Sequence, residues 1–504
     1  MATIIIPLSG TFRPNGGMTG SALKKANLLA AAGHDVKVVT FRYRLDQEEH
    51  EQHLYHSGTI LKRIEFINFY ESLRLRSDHN MRVGEAVSRK DSQEEMSDKI
   101  LQRQHEKLTR YFSMTGDLMF TELRQEEPIP NFLRRYYDLD LNLLRIEEFG
   151  PGHDLRRIRR YLPGNQTAMS ESYISNSGVA YLTVWYRKNG SVRSVISHSE
   201  SANTVNPESK SIIEIQKNWF SNIVSSSADA ILMVEDPYCF DIVSSALKVS
   251  QKNILTLHSN TFKIPDNPNS GINEENEPLL NKIDSFETIV TSTSKQSAEL
   301  SSLYPMNNFR SIPQVVAINN DIEPTSHDEN LIIYLGRLEP SKQILEMIEA
   351  ISRIFEKYDD VKLKIFGEGS LRSDIIDLIC KLGLDTKIEL AGPTASPLHE
   401  LQKANFTLMP TKYEGFGLVI AESMLVGTPV VSFDCRYGPS DMIDDGVNGK
   451  LVEAQNFSAF EKAVVDLLDS PKLVAAMREP AAQKISSLCS VDVYVKKWNK
   501  LISD

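Results

Sequence analysis

The sequence predicts an α/β protein of two Rossmann-like domains, with a β-rich module inserted into the first domain. Strands and helices alternate at the start of the chain, and the alternation returns near residue 212 and becomes strict after residue 331. Between these parts lies a long stretch with strand-like composition. Alternating strands and helices are typical of parallel sheets. At 504 residues the chain is too long for one hydrophobic core, which favours more than one domain.

The first forty residues predict one strand, helix and strand. A buried strand is expected over residues 3–8, a helix over 21–33 and a second strand over 35–41. The loop after the first strand, SGTFRPNGGMTG, contains Gly16 and Gly17. Glycines let the backbone approach a ligand closely, so this loop is a candidate binding element.

The region after residue 75 differs from the preceding part in composition and in the secondary structure that it predicts. Residues 76–125 are polar and charged, and they predict helical stretches. Residues 129–205 are strand-like, and the sequence KNG at 188–190 predicts a hairpin between two β-rich runs. We interpret the strand-like part as a β-meander and residues 76–205 together as an inserted β-rich module.

The rest of the chain predicts parallel α/β structure, with a polar linker over 317–330. Ligands of such sheets bind at the carboxyl ends of the strands, here in a cleft between the two domains. The predicted boundaries are 1–75 with 206–317 for the N-terminal domain, 76–205 for the insertion, 318–485 for the C-terminal domain, and 486–504 for a final helix that packs back on the N-terminal domain.

Composition excludes several classes of function. The formal net charge of −11 argues against general nucleic-acid binding. The four cysteines are far apart in sequence, so neither a zinc cluster nor a CxxC pair is present, and sparse cysteine suits a reducing cytoplasm. The start, MATIIIPLSG, is typical of a strand rather than a signal peptide. No apolar run approaches the roughly 18 residues of a membrane span.

The stretch TKYEGFGLVIAES carries two glutamates around a glycine-rich turn. Glu414 follows the strand FTLMPT, and Glu422 lies one turn into the next helix. The amides that open this helix are those of Gly417, Leu418 and Val419. Such amides lack helical partners and favour a phosphate, whereas carboxylates accept hydrogen bonds from sugar hydroxyls. The layout indicates a nucleotide-sugar site, and the alternative is an ordinary glycine turn with two solvated acids.

Two further loops contribute polar groups. In YLGRLEPSKQ, Arg337 and Lys342 follow a strand and could neutralise a diphosphate, although two surface cations are the alternative. In LTLHSNTF, His258 falls at a strand end and would face the cleft, although a single histidine is more often structural.

Two other patterns in the insertion also have simpler explanations. Asp138 and Asp140 form a DxD sequence, but their aromatic and leucine neighbours do not favour a metal site. The run DLRRIRRYL contains Arg156, Arg157, Arg159 and Arg160. Such a run is usually a solvated face, and here it could also follow the phosphates of a polyanion.

In combination these loops resemble the retaining GT-B glycosyltransferases of family 4. The marks of that family are the Glu414 and Glu422 pair, the loop GRLEPSKQ and the sequence FGEGSLR at 366–372. A narrower resemblance is to the Gram-positive wall-teichoic-acid α-glycosyltransferases. It is carried by NGGMTGS, the inserted β-rich module, HSNTF and RYGPSDMIDDGVNGKLV. The resemblance implies a GT-B fold, with two Rossmann-like domains that face a cleft.

The resemblance also implies roles for individual residues. Arg337 and Lys342 would hold the donor diphosphate and stabilise the leaving UDP. Glu422 would bind the ribose, Glu414 the hydroxyls of the donor sugar, and His258 the same sugar. The other implied donor-contacting positions are Gly16, Gly17, Gly336, Gly392, Pro393, Thr394, Phe416, Gly417, Leu418 and Val419.

The implied reaction is transfer of glucose or GlcNAc from a UDP-sugar to a poly(glycerol phosphate) or poly(ribitol phosphate) wall teichoic acid, with retention and without a metal or other cofactor. The acceptor would be lipid-linked at the inner membrane face. The enzyme would be a cytoplasmic homotrimer, as in relatives, and would work near that face. The arginine run would contact the acceptor. The open alternatives are a protein O-glycosyltransferase of serine-rich adhesins and a non-catalytic glycan-binding partner. The presence of Arg337, Lys342, Glu414 and Glu422 weighs against the latter.

Overall fold

The computed structural model divides into two compact units, Met1–Lys252 and Asn253–Asp504. We call them the first and the second unit. The structure describes residues 2–10, 17–81, 101–105, 107–113, 115, 117–125, 131–198, 208–227, 229–265, 267–316 and 327–504. In these residues no helix is both long enough and apolar enough to cross a membrane.

The first unit contains four parallel strands in the order β14-β1-β2-β3. Their bounds are β1 Thr3–Leu8, β2 Asp35–Thr40, β3 Glu65–Asn68 and β14 Ala230–Val234. The helices are α1 Gly17–Ala31, α2 Gln47–His56, α3 Phe69–Met81, α4 Ile212–Ser225 and α5 Phe240–Val243. The predicted strand, helix and strand at the start of the chain are confirmed.

The β1 and β14 strands are apolar on both faces because helices cover a parallel sheet from both sides. Ile4, Ile5 and Ile6 are fully buried. Burial of each such side chain contributes about 1.5–3 kcal/mol relative to an exposed one. Beside this sheet the Nζ of Lys25 lies 3.0 Å from Oε2 of Glu235, and both side chains are buried. Burial lowers the pKa of the lysine.

The insertion is a ten-stranded antiparallel meander in which each strand pairs with the next along the chain. Its strands are β4 Leu101–His105, β5 Leu108–Phe112, β6 Leu118–Gln125, β7 Asn131–Tyr137, β8 Leu143–Phe149, β9 Leu155–Tyr161, β10 Ala168–Ile174, β11 Ala180–Tyr186, β12 Val192–Ser197 and β13 Glu208–Ser209. The predicted β-meander is confirmed.

The prediction of helical stretches was wrong for residues 101–125, which form β4 to β6. Charged residues there had suggested a solvated helix. In the sheet, however, aromatic side chains stack across neighbouring strands, with the rings of Tyr111 and Phe120 4.3 Å apart. Cross-strand pairs of this kind stabilise a sheet, and local charge content does not reveal them.

The second unit begins with three parallel strands in the order β19-β18-β15, followed along the chain by a six-stranded parallel sheet. The strands are β15 Lys252–Leu257, β16 Phe262–Ile264, β17 Asn267–Ile272, β18 Thr288–Thr291, β19 Phe309–Ser311, β20 Leu331–Leu335, β21 Lys362–Phe366, β22 Ile388–Gly392, β23 Phe406–Met409, β24 Val430–Phe433 and β25 Lys450–Val452. The six-stranded sheet has the order β22-β21-β20-β23-β24-β25. The predicted second parallel sheet is confirmed.

The helices of the second unit bury one face against these strands. They are α6 Glu277–Leu280, α7 Ser294–Leu303, α8 Ile344–Ile351, α9 Ile354–Lys357, α10 Arg372–Leu382, α11 Pro397–Lys403, α12 Leu418–Leu425, α13 Pro439–Met442, α14 Phe457–Leu468, α15 Pro471–Cys489 and α16 Val491–Ser503. The amide of Val316 donates to the carbonyl of Cys489, so the segment before the predicted linker is fixed to the end of α15. Ten residues of that linker, 317–326, lie outside the described residues.

Candidate active site

Three glycine-containing loops meet at the carboxyl ends of β20, β21 and β22. The amide of Gly336 donates to Phe366, and the amide of Gly367 donates to Gly392. A Cβ at Gly367 would lie 1.9 Å from the carbonyl oxygen of Gly336, and one at Gly369 would lie 2.4 Å from that of Leu338. Only glycine permits such contacts between backbones. The loops GRLEPSKQ and FGEGSLR therefore form one packed element.

Arg337 projects from this element as an exposed residue. Its carbonyl accepts a hydrogen bond of 3.1 Å from the hydroxyl of Tyr334, which is fully buried below. Burial, followed by the nearby charge of Glu414, raises the pKa of Tyr334. The tyrosine thus stays neutral and serves as a fixed donor that orients the backbone of Arg337. The guanidinium remains accessible to an anionic ligand.

Lys342 and Glu414 are brought into direct contact. The Nζ of Lys342 lies 2.5 Å from Oε1 of Glu414, and the side chains are 13% and 14% exposed. A backbone bond from the amide of Lys412 to the carbonyl of Ser341 joins the same two loops. The two residues implied to bind different parts of a donor therefore lie in one cluster, although they are 72 positions apart.

The backbone around Glu414 is held by a neighbouring loop. The amide of Glu414 donates to the carbonyl of Arg436, and the amide of Tyr437 donates back to the carbonyl of Glu414. The hydroxyl of Tyr437 donates to Glu299 on α7 at 2.7 Å, and Arg436 lies 3.4 Å from the same carboxylate. The backbone of Glu414 is thereby held in place by Arg436 and Tyr437, which belong to the sequence RYGPSDM.

His258 lies at the end of β15, next to the glycine-rich turn. A Cβ at Gly415 would be 1.9 Å from the carbonyl oxygen of His258, so the two backbones are in contact. The Nδ1 of the imidazole lies 3.4 Å from Nε2 of Gln314, which also lies 3.0 Å from Oγ of Ser292. The structure thus brings His258 to the same cluster as Glu414 and adds Gln314 as a partner of the ring.

Helix α12 begins without a side-chain cap. Its N-cap is Gly417, which adopts a left-handed backbone with φ 89°. The amides of the first turn have no partner within the helix and are a preferred environment for a phosphate. Leu418, 37% exposed, and the half-buried Glu422 lie on the same face because they are four residues apart. The opposite face, with Ile420, is buried in the core.

Other predicted donor contacts have different surroundings. The side chain of Phe416 is 4% exposed and packs in a cluster with Met409 and Met424, so only its backbone is open to a ligand. Val419 is partly buried against the same cluster. Gly392, with φ 75°, ends β22, and the exposed Pro393 and half-buried Thr394 begin the following loop.

The remaining predicted residues lie in the first unit. Gly16 lies outside the described residues, and Gly17, with φ 57°, begins α1. In the arginine run, Arg157 makes bonds of 2.7 and 2.9 Å to Glu148, and Arg159 makes one of 2.6 Å to the same carboxylate. Arg156 pairs with Asp154, and Arg160 donates to Ser172 at 3.3 Å. Most of the positive charge of this run is therefore compensated locally.

In the part of the chain that the structure describes, no group of three or more His, Cys, Asp or Glu side chains could hold a metal ion. The DxD sequence begins a turn between β7 and β8, where Asp138 accepts bonds from the amide and side chain of Asn142. These bonds lower the pKa of Asp138.

Several residues of the site were not predicted. They are Gln314 beside His258, Tyr437 and Glu299 behind Glu414, and Gln343 and Gln455 beside Lys342. Each acts through a partner that is distant in sequence. The sequence carries no local signal for such contacts, except that Gln343 ends the loop GRLEPSKQ and Tyr437 falls within RYGPSDM, and both stretches carried the resemblance.

The parallel sheets and the loops that follow their strands have the arrangement of the GT-B fold. A crystal structure of a Staphylococcus aureus TarM variant, in complex with fondaparinux, α-GlcNAc-glycerol and UDP, superimposes with a TM-score of 0.85 over 100% of both chains at 20% identity. Residues 317–484 match the family model described as glycosyl transferases group 1, and they form a domain of that family.

Two sequence relatives extend over most of the chain. The poly(ribitol-phosphate) α-N-acetylglucosaminyltransferase of Staphylococcus aureus strain COL is 24% identical over 502 residues, which cover 97% of each chain. The poly(glycerol-phosphate) α-glucosyltransferase of Bacillus subtilis strain 168 is 22% identical over 513 residues, which cover 97% of this chain and 73% of that one. The match therefore includes the insertion as well as the catalytic domain.

Proposed function

We propose that the protein transfers a hexose, glucose or GlcNAc, from a UDP-sugar to hydroxyls of a poly(glycerol phosphate) or poly(ribitol phosphate) chain, with retention at the anomeric carbon. The observation that carries this proposal is the ion pair of Lys342 with Glu414, in loops that also hold the exposed Arg337 and the uncapped start of α12. Cations and free amides suit a diphosphate, and a carboxylate suits sugar hydroxyls. The two relatives named above, which match 97% of this chain, support the choice of acceptor class.

The proposed reaction needs no protein nucleophile. The acceptor hydroxyl attacks the anomeric carbon on the face from which the phosphate departs, and the bond between that carbon and the phosphate oxygen breaks. The electron pair of this bond passes to UDP, and the departing phosphate takes the proton of the hydroxyl. Arg337, Lys342 and the amides of α12 stabilise the charge that develops on UDP. Glu414 and His258 orient the sugar.

The same arrangement supports a reaction without a metal ion. Two cationic side chains and a helix terminus provide positive potential for a diphosphate, which is the role a divalent cation has in other nucleotide-sugar sites. We therefore propose that activity persists in EDTA. The protein would work at the cytoplasmic face of the membrane on a lipid-linked polymer, as a homotrimer. Size-exclusion chromatography with light scattering tests the oligomeric state.

One assay tests the reaction. The protein is incubated in EDTA with UDP-glucose or UDP-GlcNAc and with poly(glycerol phosphate), poly(ribitol phosphate) or a serine-rich peptide, and sugar transfer is measured by mass spectrometry. Transfer to one of the polymers with an α-linkage, detected by NMR, is the expected result. Transfer to the peptide alone would instead identify a protein O-glycosyltransferase. Absence of UDP binding in calorimetry would contradict both reactions.

A further inference from the structure

Two glutamines with unusual backbone geometry lie at the end of the loop GRLEPSKQ, where Gln343 is its last residue and Gln455 contacts it. Gln343 has φ 52° and ψ 39°, and Gln455 has φ 66°. Residues with a side chain rarely adopt this left-handed conformation, because the Cβ crowds the following carbonyl oxygen. Such conformations persist only where the surrounding structure holds them, and they concentrate at functional sites.

The two glutamines hold each other through their side-chain amides. Nε2 of Gln343 donates to Oε1 of Gln455 at 2.9 Å, and Nε2 of Gln455 donates to Oε1 of Gln343 at 3.0 Å. Reversing both amides would leave both bonds in place, so the pairing does not depend on how oxygen and nitrogen are assigned. Gln343 is only 2% exposed, whereas Gln455 is exposed.

This pair lies next to Lys342. Gln343 follows the lysine directly and ends the 3-10 turn Pro340–Lys342, with its amide donating to Pro340 at 3.3 Å. Its carbonyl accepts the amide of Met347 and begins helix α8. The left-handed residue therefore sets the direction in which the chain turns immediately after Lys342. A rotation there would move the lysine ammonium away from Glu414.

A glycine would adopt this backbone without strain, but it would leave the turn free to move. A glutamine locked to Gln455 gives the same turn and restrains it. We propose that Gln343 and Gln455 are positioning residues, which hold the ammonium of Lys342 at the place where a donor diphosphate binds. This inference rests on the proposed function, because it requires that Lys342 binds a diphosphate.

Glycine substitutions separate positioning from folding. Gln343→Gly and Gln455→Gly keep the left-handed backbone and remove the amide pair. Binding of UDP and of UMP is measured by calorimetry, and thermal unfolding is measured in parallel. We expect UDP to bind about fivefold to tenfold more weakly to each variant, because small displacements of a binding group are costly. UMP, which lacks the β-phosphate, should be affected less, and the double variant should match the single ones.

The matched control is Leu141→Gly, another replacement of a left-handed residue, with φ 61°, on an exposed turn of the insertion. It should leave UDP binding unchanged. If the glycine variants do not fold, Gln455→Met decides, because it keeps the side-chain length and removes both hydrogen bonds.

Three outcomes overturn the inference. Equal affinity of the wild-type protein and the variants for UDP would show that the pair does not position Lys342, while the proposed function would stand. Equal losses for UDP and UMP, or loss of folding in both single glycine variants and in Gln455→Met, would assign the pair a structural role only. If the wild-type protein itself does not bind UDP, the proposed function fails, and the inference fails with it.

Discussion

Lys342 and Glu414 form an ion pair in the candidate active site, with Nζ and Oε1 2.5 Å apart. The proposed function assigns the lysine to the diphosphate of the donor and the glutamate to its sugar. In this contact the two charges neutralise each other. A bound donor must therefore share or replace this contact, and part of its binding free energy is used to do so.

Replacement of Glu414 by glutamine should affect binding and transfer in opposite directions. The substitution releases Lys342 from its ion pair, which at a partly exposed site contributes about 1 kcal/mol, or about a fivefold change in affinity. We expect tighter binding of UDP, which has no sugar, and slower transfer from the UDP-sugar. Calorimetry with UDP and a steady-state transfer assay measure the two effects. UDP affinity that stays the same would mean that the ion pair does not compete with the ligand.

Replacement of Arg337 by alanine should lower transfer with little change in stability. The side chain is exposed, so its loss leaves no cavity, but it removes a cation that would stabilise the leaving UDP. Loss of one such group typically costs about 10²–10³ in turnover. Arg353→Ala is the control, because this arginine is also exposed but lies outside the loops of the candidate site. Arg337→Lys should restore only part of the rate, since lysine lacks the two-pronged geometry. A full rate in Arg337→Ala would exclude a catalytic role.

The sequence predicted the elements that carry local patterns. The strands of the second sheet are short apolar runs, and the loops that follow them contain Gly336, Lys342 and Glu414 at recognisable positions. Contacts across long distances in sequence could not be predicted in this way. The pairing of Gln343 with Gln455 is one example, and the bonds from Arg157 and Arg159 to Glu148 are another. A periodicity shows which face of an element a residue occupies, but not which element will face it.

Gly415 should be intolerant of any side chain. Its Cβ would lie 1.9 Å from the carbonyl oxygen of His258, so Gly415→Ala must displace either the glycine-rich turn or the end of β15. Steric insertion of this kind costs about 1–3 kcal/mol. We expect a lower melting temperature and a loss of transfer greater than the loss of folded protein explains. The exposed Lys412→Ala is the control, and it should leave both quantities unchanged. A Gly415→Ala variant with wild-type transfer would show that His258 and the turn need not be in contact.

The stability of the first unit should fall as the pH rises towards neutrality. Burial raises the pKa of Glu51 from 4.5 to about 7, while the hydrogen bond from Gln47 opposes the shift. The folded state therefore holds this proton more tightly than the unfolded chain, and its contribution is lost between about pH 4.5 and 7. Glu51→Gln should stabilise the protein by roughly 1–2 kcal/mol at pH 8 and have little effect at pH 4.5. Unfolding in urea at both pH values measures this, with the exposed Glu274→Gln as control. An equal effect at the two pH values would contradict the assignment.

Two arginines of the run DLRRIRRYL should have different roles, Arg157 in stability and Arg160 in binding of the acceptor. Arg157 is bonded twice to the buried Glu148 and lies over the ring of Tyr43, 4.9 Å from its centre. Arg157→Ala should therefore destabilise the first unit by roughly 2–3 kcal/mol, because it removes one partner of a largely buried pair.

Arg160 is different, because its described side-chain bond is to the hydroxyl of Ser172 and it lies directly opposite Arg145 on the neighbouring strand. Two arginines at opposed positions repel each other, and a phosphate would relieve this repulsion. Arg160→Gln should leave the melting temperature within a degree or two of wild type, while binding to poly(glycerol phosphate) or poly(ribitol phosphate) weakens and depends less on salt. Fluorescence anisotropy at two salt concentrations measures this. Polymer affinity that is unchanged in Arg160→Gln would remove the run from the acceptor path and leave it a structural part of the sheet.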